Sequence, residues 1–114
     1  MRFIGLLFLI LWFGGCSSPR PIHHVVLVWY IPNLSDEEKT AIMQASRTLA
    51  DIDGVESLHL GKSLNKNADR FDLGLTFEFE SALAMEEYLS NPEHVAFVKL
   101  HIRNKVKKVL IYDY

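Results

Sequence analysis

From Phe71 to Phe79 apolar and polar side chains alternate without a slip. Phe71, Leu73, Leu75, Phe77 and Phe79 fall on one side, and Asp72, Gly74, Thr76 and Glu78 on the other. Period-2 alternation over this length admits a β-strand with one face in a core and little else, so a strand is predicted over Arg70 to Phe79. One strand cannot stand alone in water, and partners must be found elsewhere in the chain. Ile22 to Ile31 (IHHVVLVWYI) is rich in β-branched and aromatic residues and stops at Pro32. Its near-continuous apolarity predicts a first strand buried on both faces. A second strand is predicted from Val55 to Leu64, with Val55, Leu58 and Leu60 as its apolar residues, and a last one from Lys108 to Tyr114.

The segments between read as helices. Ser35 followed by Glu38 forms a capping box, and Ala41, Ile42, Ala45, Leu49 and Ile52 recur at helical spacing until Asp53-Gly54. Ser81 caps a second helix over Ala82 to Leu89. Asn91-Pro92 restarts the chain as a third, with an Asn cap, a proline at the first helical position, and Val95, Val98 and Ile102 as its stripe. The resulting order is βαββαβ, an α+β ferredoxin-like arrangement whose second helix is broken. Helices on one face of such a sheet leave the other bare. The Phe71 to Phe79 row and the first strand are too apolar to meet water, which predicts a homodimer closing sheet against sheet.

The first fifteen residues have a different character. Arg2 is their only charge, and Phe3 to Phe13 is apolar throughout apart from Gly5. A charged start, a short apolar core and small residues at its end describe a secretory signal. The run is about half of the roughly 20 residues that cross a bilayer. Phe13-Gly14-Gly15-Cys16 resembles a lipobox, with Phe13 where leucine is usual. The resemblance implies a signal peptide over residues 1–15, acylation of Cys16 and a lipidated tether over residues 16–21. Two or more acyl chains anchor a protein stably to a membrane. Ser17 after the cysteine implies, by the same resemblance, an exported protein on the outer membrane where the organism has two. Cys16 is the only cysteine of the 114 residues, so no intrachain disulfide can form. Without Arg2, eleven basic residues face fourteen acidic ones, a formal charge of −3, which is not the balance of a nucleic-acid-binding domain.

His24-Val25-Val26-Leu27-Val28, Arg70 to Phe79, Tyr88-Leu89-Ser90-Asn91-Pro92-Glu93-His94-Val95 and the closing Val109 to Tyr114 together resemble the stress-responsive A/B barrel (Dabb) family over residues 22–114. The resemblance implies a dimeric α+β barrel. One branch of the family, a plant polyketide cyclase, works through residues that fall on His24, Tyr88 and His94. A further histidine of that branch is Asn91 here. The resemblance thus implies a membrane-anchored homodimeric binding or stress-related module, or alternatively a cofactor-free enzyme, cyclase-like or monooxygenase-like, using His24, Tyr88 and His94.

The residues themselves allow both. A neutral imidazole near a helix start can accept a proton, a tyrosine can donate to an oxyanion, and His24 shares a strand face with Val26 and Val28. The expected ligand is a small apolar, aromatic or carbonyl-bearing molecule. Equally, His94 can bond a backbone group and simply hold the helix break. His23 and His24 point to opposite strand faces, and His94 and His101 stand two helical turns apart, so no metal site is expected. No phosphate loop, nucleophile elbow or dinucleotide fingerprint occurs, and no cofactor is expected.

Overall fold

The computed structural model describes residues 20–114; the leader and Cys16 lie outside the described residues. The elements are β1 (Ile22–Tyr30), α1 (Asp36–Thr48), β2 (Val55–Gly61), β3 (Leu73–Phe79), α2 (Ala82–Ser90), α3 (Pro92–Phe97) and β4 (Val106–Asp113). A 3₁₀ turn, Leu49–Asp51, extends α1, and a π-helical turn, Val98–Ile102, extends α3. The sheet runs β2-β3-β1-β4, antiparallel throughout. This is the predicted ferredoxin-like α+β fold.

Local chemistry sets the element ends. Ser35 Oγ accepts the Glu38 amide at 3.1 Å, and Glu38 accepts the Ser35 amide at 3.2 Å, closing the capping box at the start of α1. Ser81 Oγ caps α2 on the Ala84 amide, and Asn91 Oδ1 caps α3 on the Glu93 amide. At the other end of the sheet β1 and β4 are clamped by a pair of backbone bonds between His23 and Tyr114.

The alternating row organises the core. Leu73, Leu75, Phe77 and Phe79 of β3 are all buried, beside His24, Val28 and Tyr30 of β1. They pack under Ile42 and Leu49 from α1 and its extension, Ile52, and Tyr88 of α2. The row therefore faces the helices, which corrects its assignment to the bare face. The sheet's other side carries Val25, Leu27, Trp29, Thr76, Leu110 and Tyr112, half-buried or exposed. Within one protomer β1 is thus buried on its helix side alone.

Phe71 leaves the row. The Asp72 amide donates to the Val28 carbonyl and the Asp72 carboxylate accepts the Tyr30 amide at 2.8 Å, which ends the regular ladder one residue before β3. The Phe71 ring then crosses to the open side, edge-on to Trp29 at 6.4 Å and over Gly74, where a Cβ would come within 3.1 Å of it. Strand β2 ends at Gly61, before the predicted Leu64, which is fully exposed. In the third helix Val95 is 53% exposed. The π-turn that follows is closed by the Arg103 amide on the Val98 carbonyl at 2.9 Å, and of the predicted stripe only Val98 and Ile102 turn inward, beside Phe97.

Gly54 joins α1's extension to β2 at φ +93°, and a Cβ there would stand 3.3 Å from the Ala84 carbonyl. Both features oppose any side chain. Gly54→Ala is expected to lower the unfolding free energy by more than about 1 kcal/mol, measured by urea denaturation.

Candidate functional site

The break between α2 and α3 builds one wall of the site. Pro92 has no amide proton, so the Tyr88 carbonyl takes the Asn91 amide instead, at 3.1 Å. The Glu93 amide is spent on Asn91 Oδ1, which leaves the Leu89 carbonyl without its helical donor. His94 supplies one: its Nδ1–H donates to Leu89 O at 2.9 Å. This bond fixes the tautomer, so Nε2 carries the lone pair and has no hydrogen-bond partner among the described residues.

Tyr88 lies one turn before the break, fully buried, with its ring 4.7 Å from that of His94 and 5.2 and 5.0 Å from Phe77 and Phe79. His24 comes from β1 and is 3% exposed, with its ring 6.3 Å from Tyr88. Its Nδ1–H donates to Asp113 Oδ1 at 2.5 Å, directly across the ladder, where His24 and Asp113 are register partners. The carboxylate fixes the His24 tautomer just as the Leu89 carbonyl fixes that of His94.

The three predicted residues thus converge. They share the wall of a cavity of about 200 Å³ between the sheet and the helices, otherwise apolar, lined by residues such as Val26, Val28, Phe97 and Val98. At about 30 Å³ per water this is space for about seven waters or one small ring. Burial pushes the His94 imidazole below its ordinary pKa; the Leu89 bond works against that shift and nearby His24 adds to it. His94 is accordingly neutral at pH 7. Burial alone pushes the Tyr88 phenol far up, so it remains a donor across the accessible pH range. The set can accept a proton at His94 Nε2 and stabilise a developing oxyanion through Tyr88.

Asp113 is the site residue that sequence reasoning missed. It keeps phase with Val109 and Ile111 on β4, but its partner is 89 positions away and depends on the register. His23 lies on the opposite sheet face, bonded to Glu78 at 3.1 Å and stacked on Tyr114. Among the described residues no three His, Cys, Asp or Glu side chains converge on a metal position. A larger polar cleft, about 550 Å³, runs beside α1 past Lys39, Arg47 and Lys62, but contains none of these histidines. No helix of the described residues is long and apolar enough to cross a membrane.

Comparison with known proteins agrees with this frame. The curated stress-response A/B barrel domain-containing protein HS1 of Arabidopsis thaliana is 28% identical over 103 residues, 86% of this chain and 92% of that protein. A hydroxynitrile lyase from Passiflora edulis superposes with a TM-score of 0.76 at 20% identity, covering 84% of this chain and 93% of the lyase. A dimeric ferredoxin-like protein of unknown function from Thermobifida fusca gives 0.73 at 17%, covering 82% and 89%. The family model for the Stress responsive A/B Barrel Domain matches residues 22–114. With its broken second helix and its inward histidines, the chain belongs to the stress-responsive A/B barrel family.

Proposed function

We propose that this domain binds a small, largely apolar molecule bearing a carbonyl or phenolic oxygen, as a homodimer held at a membrane through acylated Cys16. The cavity carries the reading: three polar side chains meet in an otherwise apolar chamber, two of them with tautomers fixed by outer partners. A module whose interior was needed only for packing would fill this space, since cores close to crystal-like density. A second reading, proton-transfer catalysis, is favoured by neutral His94 beside a protonated Tyr88. His94 Nε2 would take a proton from the bound molecule while Tyr88 donates a hydrogen bond to the oxygen that gains charge. The likeness to a hydroxynitrile lyase supports a fold able to house such chemistry.

The dimer rests on the open sheet face and on the Thermobifida fusca neighbour, itself described as dimeric. Val25, Leu27 and Leu110 would meet their copies there. Val25→Asp is expected to weaken dimerisation at least 30-fold, about a 2 kcal/mol interface contribution, with an unchanged circular dichroism spectrum. Sedimentation equilibrium checks this; an unaltered dimer overturns the sheet-to-sheet arrangement.

The anchor rests on the apolar leader and the lipobox-like stretch. Cys16→Ser should abolish incorporation of radiolabelled palmitate and shift the protein out of the membrane fraction. Retention of label would remove Cys16 as the acceptor.

The site is tested with phenol as probe, followed by the ring resonances of ¹⁵N-labelled histidine. Phenol should move the His94 signals and bind at least tenfold more weakly to Tyr88→Phe, with unfolding midpoints within a few degrees of the parent. Because the His94 pKa lies below the ordinary histidine value near 6.5, binding should persist from pH 7 down to that lowered pKa and fall as pH drops through it. His94→Gln should abolish this pH dependence. Full affinity in Tyr88→Phe together with His94→Gln would leave His94 as a clasp for the helix break only.

A further inference from the structure

A second space in the domain has the opposite character. The cleft of about 550 Å³ beside α1 shares no lining residue with the histidine chamber. Its helix wall is a stripe of α1 at helical spacing: Asp36, Lys39, Met43 and Arg47, with Thr40 and Gln44 beside them. The facing wall is Tyr30 at the end of β1, Lys62 just past β2 and Asp72 just before β3.

The charges of this cleft are unevenly satisfied. Asp72 accepts the Tyr30 amide at 2.8 Å. Asp36 sits in the first turn of α1, where free backbone amides offset a negative charge. The three cations have no such compensation from a carboxylate: among the described residues both ion pairs belong to histidines. Burial and the neighbouring Asp72 carboxylate push the Tyr30 phenol above its ordinary pKa, so it stays protonated well above neutral pH. Cationic donors therefore share the cleft with hydroxyl, amide and carboxylate groups that suit hydrogen bonds to an alcohol.

A bare anion would use the cations and leave the neutral and acidic groups idle. A neutral sugar would leave the cations idle. We propose that the cleft binds a polyhydroxylated anion, a sugar phosphate or sugar acid, with its acidic group held by Lys39, Arg47 and Lys62 and its hydroxyls bonded to Thr40, Gln44 and Asp72. Arg47 offers the planar fork that grips a phosphate or carboxylate through two oxygens at once. Register also places the cleft. Tyr30 and Asp72 stand at the end of the sheet opposite the Ile22–Phe79 pair, roughly 25 Å of strand from where the chain enters. A chain held at a membrane by residues before Ile22 carries this cleft on its far side, so a dissolved ligand fits it better than a lipid headgroup.

Isothermal titration calorimetry on the full chain in phosphatidylcholine nanodiscs tests it, with glucose 6-phosphate, glucuronate, inorganic phosphate and glucose as probes. Both sugar anions should bind at least tenfold more tightly than glucose, and glucose 6-phosphate at least tenfold more tightly than phosphate. Arg47→Gln and Lys62→Gln should each weaken both sugar anions at least fivefold. Lys107→Gln, on β4 at the other edge of the sheet, should leave them unchanged. Thr40→Val should weaken glucose 6-phosphate and leave phosphate as it is. All four positions are exposed, so unfolding midpoints should stay within a few degrees of the parent. No saturable binding of either sugar anion, equal losses in Lys107→Gln, or phosphate bound as tightly as glucose 6-phosphate would each overturn the proposal. The side-chain signals of ¹⁵N-labelled arginine separate solute from lipid: glucose 6-phosphate should move that of Arg47. The same shift on replacing phosphatidylcholine by phosphatidylglycerol, with no sugar added, would assign the cleft to a headgroup and overturn the dissolved ligand.

Discussion

A missing proton governs this fold's chemistry. Pro92 cannot donate a backbone hydrogen bond, and the cap on Asn91 takes the Glu93 amide, so α2 ends with the Leu89 carbonyl unsatisfied inside a half-buried break. An orphaned buried acceptor costs about 1–3 kcal/mol, enough to demand a donor. His94 answers, and in doing so swings its ring against Tyr88 and presents its second nitrogen to the interior. His94's place at the cavity's polar end, beside His24 and Tyr88, follows from that one substitution of side chain for backbone.

The structural and the chemical readings of His94 are therefore not rivals. One nitrogen serves the fold and the other is left over. The same division holds at His24, whose Nδ1 is bound to Asp113 and whose ring sits among Phe77, Phe79 and Tyr88. A residue whose orientation is enforced by folding contacts reaches a ligand already positioned, which is what preorganisation requires.

What could be read from the chain divides by range. The capping box at Ser35, the Asn91-Pro92 restart and the alternation through Leu73, Leu75, Phe77 and Phe79 are local patterns, and each stands where spacing placed it. Phe71 broke its pattern because two bonds from Asp72 to β1 end the ladder, and nothing in a period of two announces them. Val95 stands outside the inward stripe, which Phe97, Val98 and Ile102 form instead across a π-turn that helical spacing does not foresee. Asp113 could be seen as an acid in a strand but not as the partner of His24, because that pairing needs the β1–β4 register. The face of the sheet turned to the helices was equally a matter of tertiary choice: the β3 row went inward beside His24, Val28 and Tyr30, and the other face of β1, with Val25, Leu27 and Trp29, was left half-buried.

The chain enters the domain straight into β1, and β1 is an inner strand, laddered to β3 on one side and to β4 on the other. The first rungs are already doubled: His23 is clamped to Tyr114 and pairs across to Glu78. Tension arriving from residues before Ile22 along the strand is then resisted in shear, with many hydrogen bonds sharing the load at once. A domain entered through an edge strand would carry the same axial load on one ladder only. A pull applied at Ile22 would meet both ladders of β1 together.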